Sequence, residues 1–301
     1  MTNITLKQLR YFDAVAEALH FGRAADACAV SQPALSVQVR ELEQSLGLAL
    51  FERAPRNVRL TRFGEAFRTR AQAILRDVDA LDDLARAARD GLAGRLRLGV
   101  IPTIAPYLLP AVLPALSAAR PGIDVHIRET VTPRLVDELQ EGKLDAAIVA
   151  LPLEETNLIE WPLFDEDMVL VRPDTDAGAP VPAPDQLAAM RLLLLEEGHC
   201  FRDQALSFCN VGAAREGLDG SALSTLVQMV GAGLGVTLIP EMAVDVEARA
   251  ARVDIARFAA PAPRRSVGMV WRKTTPMADH LHSLAQVVAG AAQPGKDPVS
   301  T

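Results

Sequence analysis

Cysteine is scarce in this chain, with three in 301 residues. They form no C-x-x-C pair, and His199, Cys200 and Cys209 have no fourth ligand at zinc spacing, so no metal centre is expected. No other cofactor is indicated: Gly231, Gly233 and Gly235 lack the G-x-G-x-x-G spacing of a dinucleotide loop. No Ser/His/Asp nucleophile elbow is visible, which sets hydrolase chemistry aside. The first residues contain no apolar signal-peptide region and no cleavage site. The one long uncharged run, Val100–Ala119, holds Pro102, Pro106, Pro110 and Pro114, which argues against a membrane-spanning helix. The reading is a cytoplasmic protein with no membrane partner. In that compartment glutathione and thioredoxin keep thiols reduced, so a static structural disulfide is not expected.

What is present is ample apolar residue, 50% of the chain, enough for about two domains. The net charge is −7 but unevenly placed. Residues 1–63 carry eight basic and six acidic side chains, so the remainder holds all of the negative excess. From Arg53 to Arg76 there are seven arginines and one acid, Glu65. An arginine cluster on an acidic protein points to a dedicated anionic partner.

Three regions are expected. In the first, residues 1–62, Leu6, Leu9, Phe12, Ala16 and Leu19 share a helical face. A short helix follows at about Arg23–Ala29, with Cys28 on its apolar side as core. Ser31 then reads as an N-cap, with Pro33 tolerated in the first turn. Leu35, Val39, Leu42 and Leu46 face inward, while Gln32, Ser36 and Arg40 form an outward stripe. Two helices joined tightly, the second with a polar exposed face, make a helix-turn-helix. Val58–Leu60 fits one strand of a wing. The second region, 63–92, repeats Phe67, Ala71, Ile74, Val78, Leu81, Ala85 and Ala88 in heptads, which predicts a dimerising linker helix ending at Gly91 and Gly94. A helix lying on its own domain is the alternative. The third region, 93–301, alternates strands (Leu96–Ile101, Val125–Glu129, Ala146–Leu151, Met168–Val171, Leu192–Leu195, Val236–Pro240, Val267–Arg272) with helices. It predicts an α/β domain of two lobes with mostly parallel sheets and a cleft. Lobe I is expected at about 93–165 and 268–301, lobe II at about 166–267, with a Pro/Gly/Ala-rich tail from about Ala289.

Cys200 and Cys209 lie nine positions apart. If that segment is helical, the two thiols sit on opposite faces about 13 Å apart along the axis, whereas a disulfide needs Cα atoms roughly 4.4–6.8 Å apart. Oxidation would then require local refolding, which is the logic of a redox switch. Two buried small apolar residues are the plainer reading.

The residues from Ala24-Ala25-Asp26 through Val30-Ser31-Gln32-Pro33-Ala34-Leu35-Ser36, then Leu42-Glu43, Leu46-Gly47, Leu50-Phe51-Glu52-Arg53 and Leu60-Thr61, resemble the N-terminal module of the LysR-type transcriptional regulators. Glu197-Gly198-His199-Cys200, Arg202-Asp203-Gln204-Ala205 and Phe208-Cys209 resemble the peroxide-sensing members of that family. So do Ile101-Pro102-Thr103, Pro106–Pro110 and Pro162–Glu166. Phe201 and Ser207 depart from the usual form of this segment, which has leucine at the first of the two positions. The resemblance covers essentially the whole chain. It implies a winged helix-turn-helix, a linker helix and a two-lobed effector domain similar to periplasmic binding proteins.

It also implies roles. Cys200 is the peroxidatic residue and Cys209 the resolving one. A helix start with nearby cations favours a thiolate, and Arg202 and Arg265 are the candidate cations. Thr103, Thr132 and His199 would hold peroxide by directional hydrogen bonds. Ser31, Gln32, Pro33, Ser36 and Arg40 would face the major groove, and Arg53, Arg56 and Arg59 the phosphates or minor groove. Expected partners are an inverted-repeat DNA operator, a second copy through the linker helix within a homotetramer, RNA polymerase and a cytosolic dithiol reductant. The function so implied is a peroxide-responsive transcription regulator, not an enzyme. Three rivals stay open at this point: a regulator sensing a small organic effector in the cleft, a thiol peroxidase, and a secreted solute-binding protein.

Overall fold

A computed structural model describes residues 4–54, 57–88, 95–209 and 219–292. The chain divides into two compact units, Met1–Ala85 and Arg86–Thr301.

The first unit opens with α1 (Leu6–Ala18), begun by a capping box in which Thr5 and Gln8 each accept from the other's backbone N–H. Helix α2 (Phe21–Ala27) is capped by His20, whose Nδ1 accepts from Gly22 and Arg23 N–H. Cys28 closes it, half-buried at the rim of the core, where burial raises its thiol pKa. In α3 (Gln32–Leu46) the apolar spacing turns Leu35, Val39 and Leu42 fully inward, and Gly47 ends the helix with φ +67°. Strands β1 (Phe51–Ala54) and β2 (Asn57–Leu60) pair antiparallel as the wing, a strand more than the sequence predicts.

Helix α4 (Arg62–Ala88) departs in part from the expected seam. Ala71 is buried in the first unit's own core and Phe67 packs against it, its ring 5.2 Å from Phe12. Asp13 also binds Arg68 and Gln72. The first turns therefore lie on their own domain, while Ile74 and Leu81 stand exposed. The side chains of Ala85 and Ala88, and Gly91 and Gly94, lie outside the described residues.

The second unit runs β3 (Arg95–Val100), α5 (Ala105–Ala119), β4 (Asp124–Glu129), α6 (Thr132–Gln140), β5 (Ala146–Leu151) and β6 (Leu158–Pro173). It continues with α7 (Pro184–Ala189), β7 (Leu194–Leu195), α8 (Cys200–Phe208), β8 (Asp219–Gly220) and α9 (Leu223–Gly231). It closes with β9 (Thr237–Pro240), α10 (Val244–Glu247), β10 (Val253–Arg257), β11 (Arg264–Arg272) and α11 (Ala278–Ala292). The main sheet has the order β10-β6-β11-β5-β3-β4, with β9 also on β6. The expectation of mostly parallel sheets is corrected. In the main sheet β4-β3-β5 pair parallel, while β11, β6, β9 and β10 pair antiparallel; the short β7 and β8 form a separate parallel pair. The chain returns along β6 and β11, and those returns reverse direction.

Two apolar cores result. One draws on residues 96–163 and 267–288, the other on 168–256. Strand β6 serves both, its first half pairing with β11 and its second with β9 and β10. The predicted strand Met168–Val171 is thus the end of a sixteen-residue strand, and Leu192–Leu195 shrinks to Leu194–Leu195. The proline-rich run after Val100 is helical over α5. Pro106, Pro110 and Pro114, four apart, all lie on its exposed face; Pro106 is in the first turn, and the carbonyls that Pro110 and Pro114 leave unpaired are on the side open to solvent. Fifteen residues span about 22 Å, short of a bilayer. Among the described residues no helix is long and apolar enough to cross a membrane. The proposed tail begins inside α11, which extends to Ala292.

Candidate functional site

Cys200 stands where the two cores meet. It is the first residue of α8, half-buried and packed against the first core, whereas Phe201, Ala205 and Cys209 belong to the second. Gly198, at φ +92°, makes the turn that brings the chain into α8, a backbone angle that a side chain would strain. His199 is the N-cap residue. Facing them across a narrow gap are Ile101, Pro102 and Thr103 after β3, and Val131 and Thr132 at the start of α6. Strand ends and helix starts converge here, as α/β sheets commonly arrange their sites.

The gap encloses about 160 Å³ between atoms, nowhere wide enough for a free water-sized sphere. An occupant enters only if the lining yields slightly, and a small polar molecule asks for less than a large one. Thr132 Oγ1 is buried with no hydrogen-bond partner. A buried hydroxyl left unpaired costs roughly 1–3 kcal/mol, which makes it a ready donor and acceptor for a small polar ligand. Thr103 Oγ1 accepts from Arg265 Nη1 at 2.9 Å, leaving its own proton free to donate. Burial pushes the His199 pKa below the usual imidazole value, with Glu196 opposing. The shift favours the neutral ring, which offers one N–H and one acceptor nitrogen.

The two arginines singled out from sequence are buried and engaged. Arg265 binds Glu166 Oε1 through Nε at 2.7 Å and Nη2 at 2.6 Å, and donates to the Thr103 carbonyl at 3.0 Å. Arg202 donates to the Leu195 carbonyl at 2.6 Å and pairs with Asp219 at 3.1 Å. Neither guanidinium is hydrogen-bonded to the Cys200 sulfur. Two residues that fall within the motifs quoted from the sequence, but were given no role there, stand out here. Glu166 holds Arg265 from 99 positions away, for which no local pattern gives a signal. Gln204, one turn after Cys200, has a buried Oε1 with no partner; its i, i+4 spacing from the thiol was the available clue.

All three cysteines are free. Cys209 caps α8, is fully buried, and its thiol is pushed up to about 11 by desolvation. It stays protonated and sheltered at neutral pH. Among the described residues no cluster of three or more His, Cys, Asp or Glu is placed to hold a metal. Replacing Thr132 with valine should slow Cys200 oxidation by peroxide about tenfold, the worth of one hydrogen bond. Thermal stability should not fall, because the hydroxyl has no partner to lose. Competition kinetics with a reference thiol and a melting curve read both.

On the first unit, Ser31, Gln32, Pro33 and Arg40 are exposed along α3 and Ser36 is half-buried. Arg40 Nε rests on the Ser36 carbonyl at 3.2 Å. Arg59 is exposed on the wing. Arg53 lies on β1 with its side chain outside the described set, and Arg56 lies outside the described residues altogether.

Residues 6–65 match the bacterial regulatory helix-turn-helix protein, lysR family, and residues 89–293 match the LysR substrate binding domain. A probable hydrogen peroxide-inducible genes activator of Streptomyces viridosporus is 46% identical over 95% of this chain and 94% of its own. Among solved structures, a full-length OxyR variant from Pseudomonas aeruginosa is 38% identical, with a TM-score of 0.73, covering 98% of this chain and 99% of that one. A cysteine-to-serine variant of Corynebacterium glutamicum OxyR, H2O2-bound, is 35% identical with a TM-score of 0.65, covering 95% and 92%. This helix-turn-helix, joined to a two-core domain with a cysteine between the cores, belongs to the LysR family of transcription regulators, among the relatives named OxyR or hydrogen peroxide-inducible genes activator.

Proposed function

We propose that the protein is a peroxide-responsive DNA-binding transcription regulator that switches by a Cys200–Cys209 disulfide. The observation that carries this reading is the gap itself. A half-buried thiol at a helix start lines the same narrow gap as an unpartnered buried Thr132 hydroxyl. The Cys200 thiolate attacks one peroxide oxygen, the O–O bond breaks, and hydroxide leaves a sulfenic acid. The Cys209 thiol then attacks that sulfur, forming the disulfide and releasing water. Thr103, Thr132 and His199 hold the peroxide, and Arg202 and Arg265 supply positive potential from their buried positions. Because Cys209 is sealed in the second core at the far end of α8, the bond forms only after α8 unwinds.

In this reading residues 1–62 bind the operator, 63–92 pair two copies, and 93–301 sense. Ser31, Gln32, Pro33, Ser36 and Arg40 face the major groove of an inverted repeat, with Arg53, Arg56 and Arg59 on the backbone or minor groove. Ile74, Val78 and Leu81 of α4 make the dimer seam, within a homotetramer. The protein acts in the cytoplasm, contacts RNA polymerase, and is reset by a dithiol reductant. The test is footprinting of reduced and peroxide-treated protein on its own upstream DNA. An altered span of protection on oxidation is expected; identical footprints in the two states would sink the proposed coupling.

A further inference from the structure

The site holds an aromatic ring that the peroxide chemistry does not require. Phe201, second in α8, is 3% exposed, lines the Cys200 gap and belongs to the second core. Its ring lies 5.3 Å from the Arg265 guanidinium. Arg265 is itself held on one side by Glu166 and on the other by Thr103, which follows β3 of the first core. The first turn of α8 is thereby tied to a buried cation that bridges both cores.

We infer that Phe201 is a positioning residue that holds α8 in its dithiol conformation and so sets the reduction potential of the Cys200–Cys209 pair. The inference rests on the switch proposed above. Helical spacing keeps the two residues about 13 Å apart along the axis, against the roughly 4.4–6.8 Å between Cα atoms that a disulfide allows. Closing that distance unwinds residues 201–208, and Phe201 is directly bonded to the residue that must travel. Its ring then leaves the apolar core and the guanidinium face. Those contacts belong to the dithiol state, so they oppose the bond, and weakening them favours it. A core residue with the same surroundings in both states would alter melting temperatures yet leave the potential unmoved, because a potential reads only the difference between the states.

The full-length protein and Phe201→Leu are equilibrated in a series of dithiothreitol redox buffers. The fraction of Cys200–Cys209 peptide is then read by mass spectrometry. Leucine stays apolar but has no π face. A shift of roughly tenfold toward the disulfide is expected, about 30 mV more negative for this two-electron couple. Phe201→Met, closer in volume, should move the same way and serves where leucine does not fold. A disulfide that forms in all three proteins with one common potential overturns the inference, as does a shift to less negative values. Absence of the disulfide from the unsubstituted protein overturns the switch itself, and this inference with it.

Discussion

Cys200→Ser is expected to lower the rate of peroxide-driven thiol oxidation in the regulatory unit by roughly three orders of magnitude, to the level of an ordinary sheltered thiol. The two remaining cysteines explain the size of the effect. Cys209 is fully buried and holds its proton up to about pH 11, so at neutral pH it presents no thiolate to peroxide. Cys28 lies half-buried in the other compact unit, its thiol also raised by desolvation. Neither takes over the first step. The sign with pH follows: Cys209 gains reactivity only as pH rises toward 11, so raising pH in the serine variant should restore slow labelling there. Stopped-flow peroxide consumption and alkylation mapping check both parts. Oxidation at the unsubstituted rate in the serine variant would mean that another thiol is the sensor.

Arg265→Met is expected to destabilise the regulatory unit by about 3–5 kcal/mol, the usual result of removing one partner from a buried ion pair. The Arg265 side chain is 0% exposed and Glu166 8%. Methionine leaves the Glu166 carboxylate buried with only the Met242 N–H, at 3.3 Å, as donor. It also frees the Thr103 hydroxyl and carbonyl. The double variant Arg265→Met/Glu166→Leu should regain much of the loss, since an apolar pair carries no desolvation penalty. Urea unfolding followed by the fluorescence of Trp161 and Trp271, both in the regulatory unit, reads the difference. A single variant as stable as the parent would show the pair to be structurally idle.

Much of this was legible in the sequence, and the limits have physical causes. Leu35, Val39 and Leu42 announce the buried face of α3 because helix geometry repeats locally. The cysteine pair and its flanking residues mark the site because they are adjacent in the chain. The heptads of α4 reveal an apolar stripe but not what covers it, and Phe67 and Ala71 prove to be covered by their own domain. Strand β6 was read only in its last part, because Pro162 and the acids Asp165, Glu166 and Asp167 break the apolar pattern ahead of Met168. Those residues are held in the strand by pairing with β11, a contact about a hundred positions away. The pairing of Glu166 with Arg265 was hidden for the same reason, although the motif containing Glu166 was not. In α5, prolines that read as helix breakers are harmless because all three point to water.

The length of β6 bears on how the two cores can move. In a clamshell, two bodies swing about slack crossover segments and close on a guest. Here one strand is woven into both bodies. Its ladder to β11 runs from Leu158–Arg272 to Asp167–Arg264 with one irregularity at Val267/Gly268, and β9 and β10 take over from Met168 onward. At that irregularity Gly268 is already crowded: a Cβ there would sit 2.3 Å from Leu151 Cδ1. The two cores are therefore joined through a hydrogen-bonded strand rather than slack segments, and pulling them apart along it would break ladder hydrogen bonds of β6.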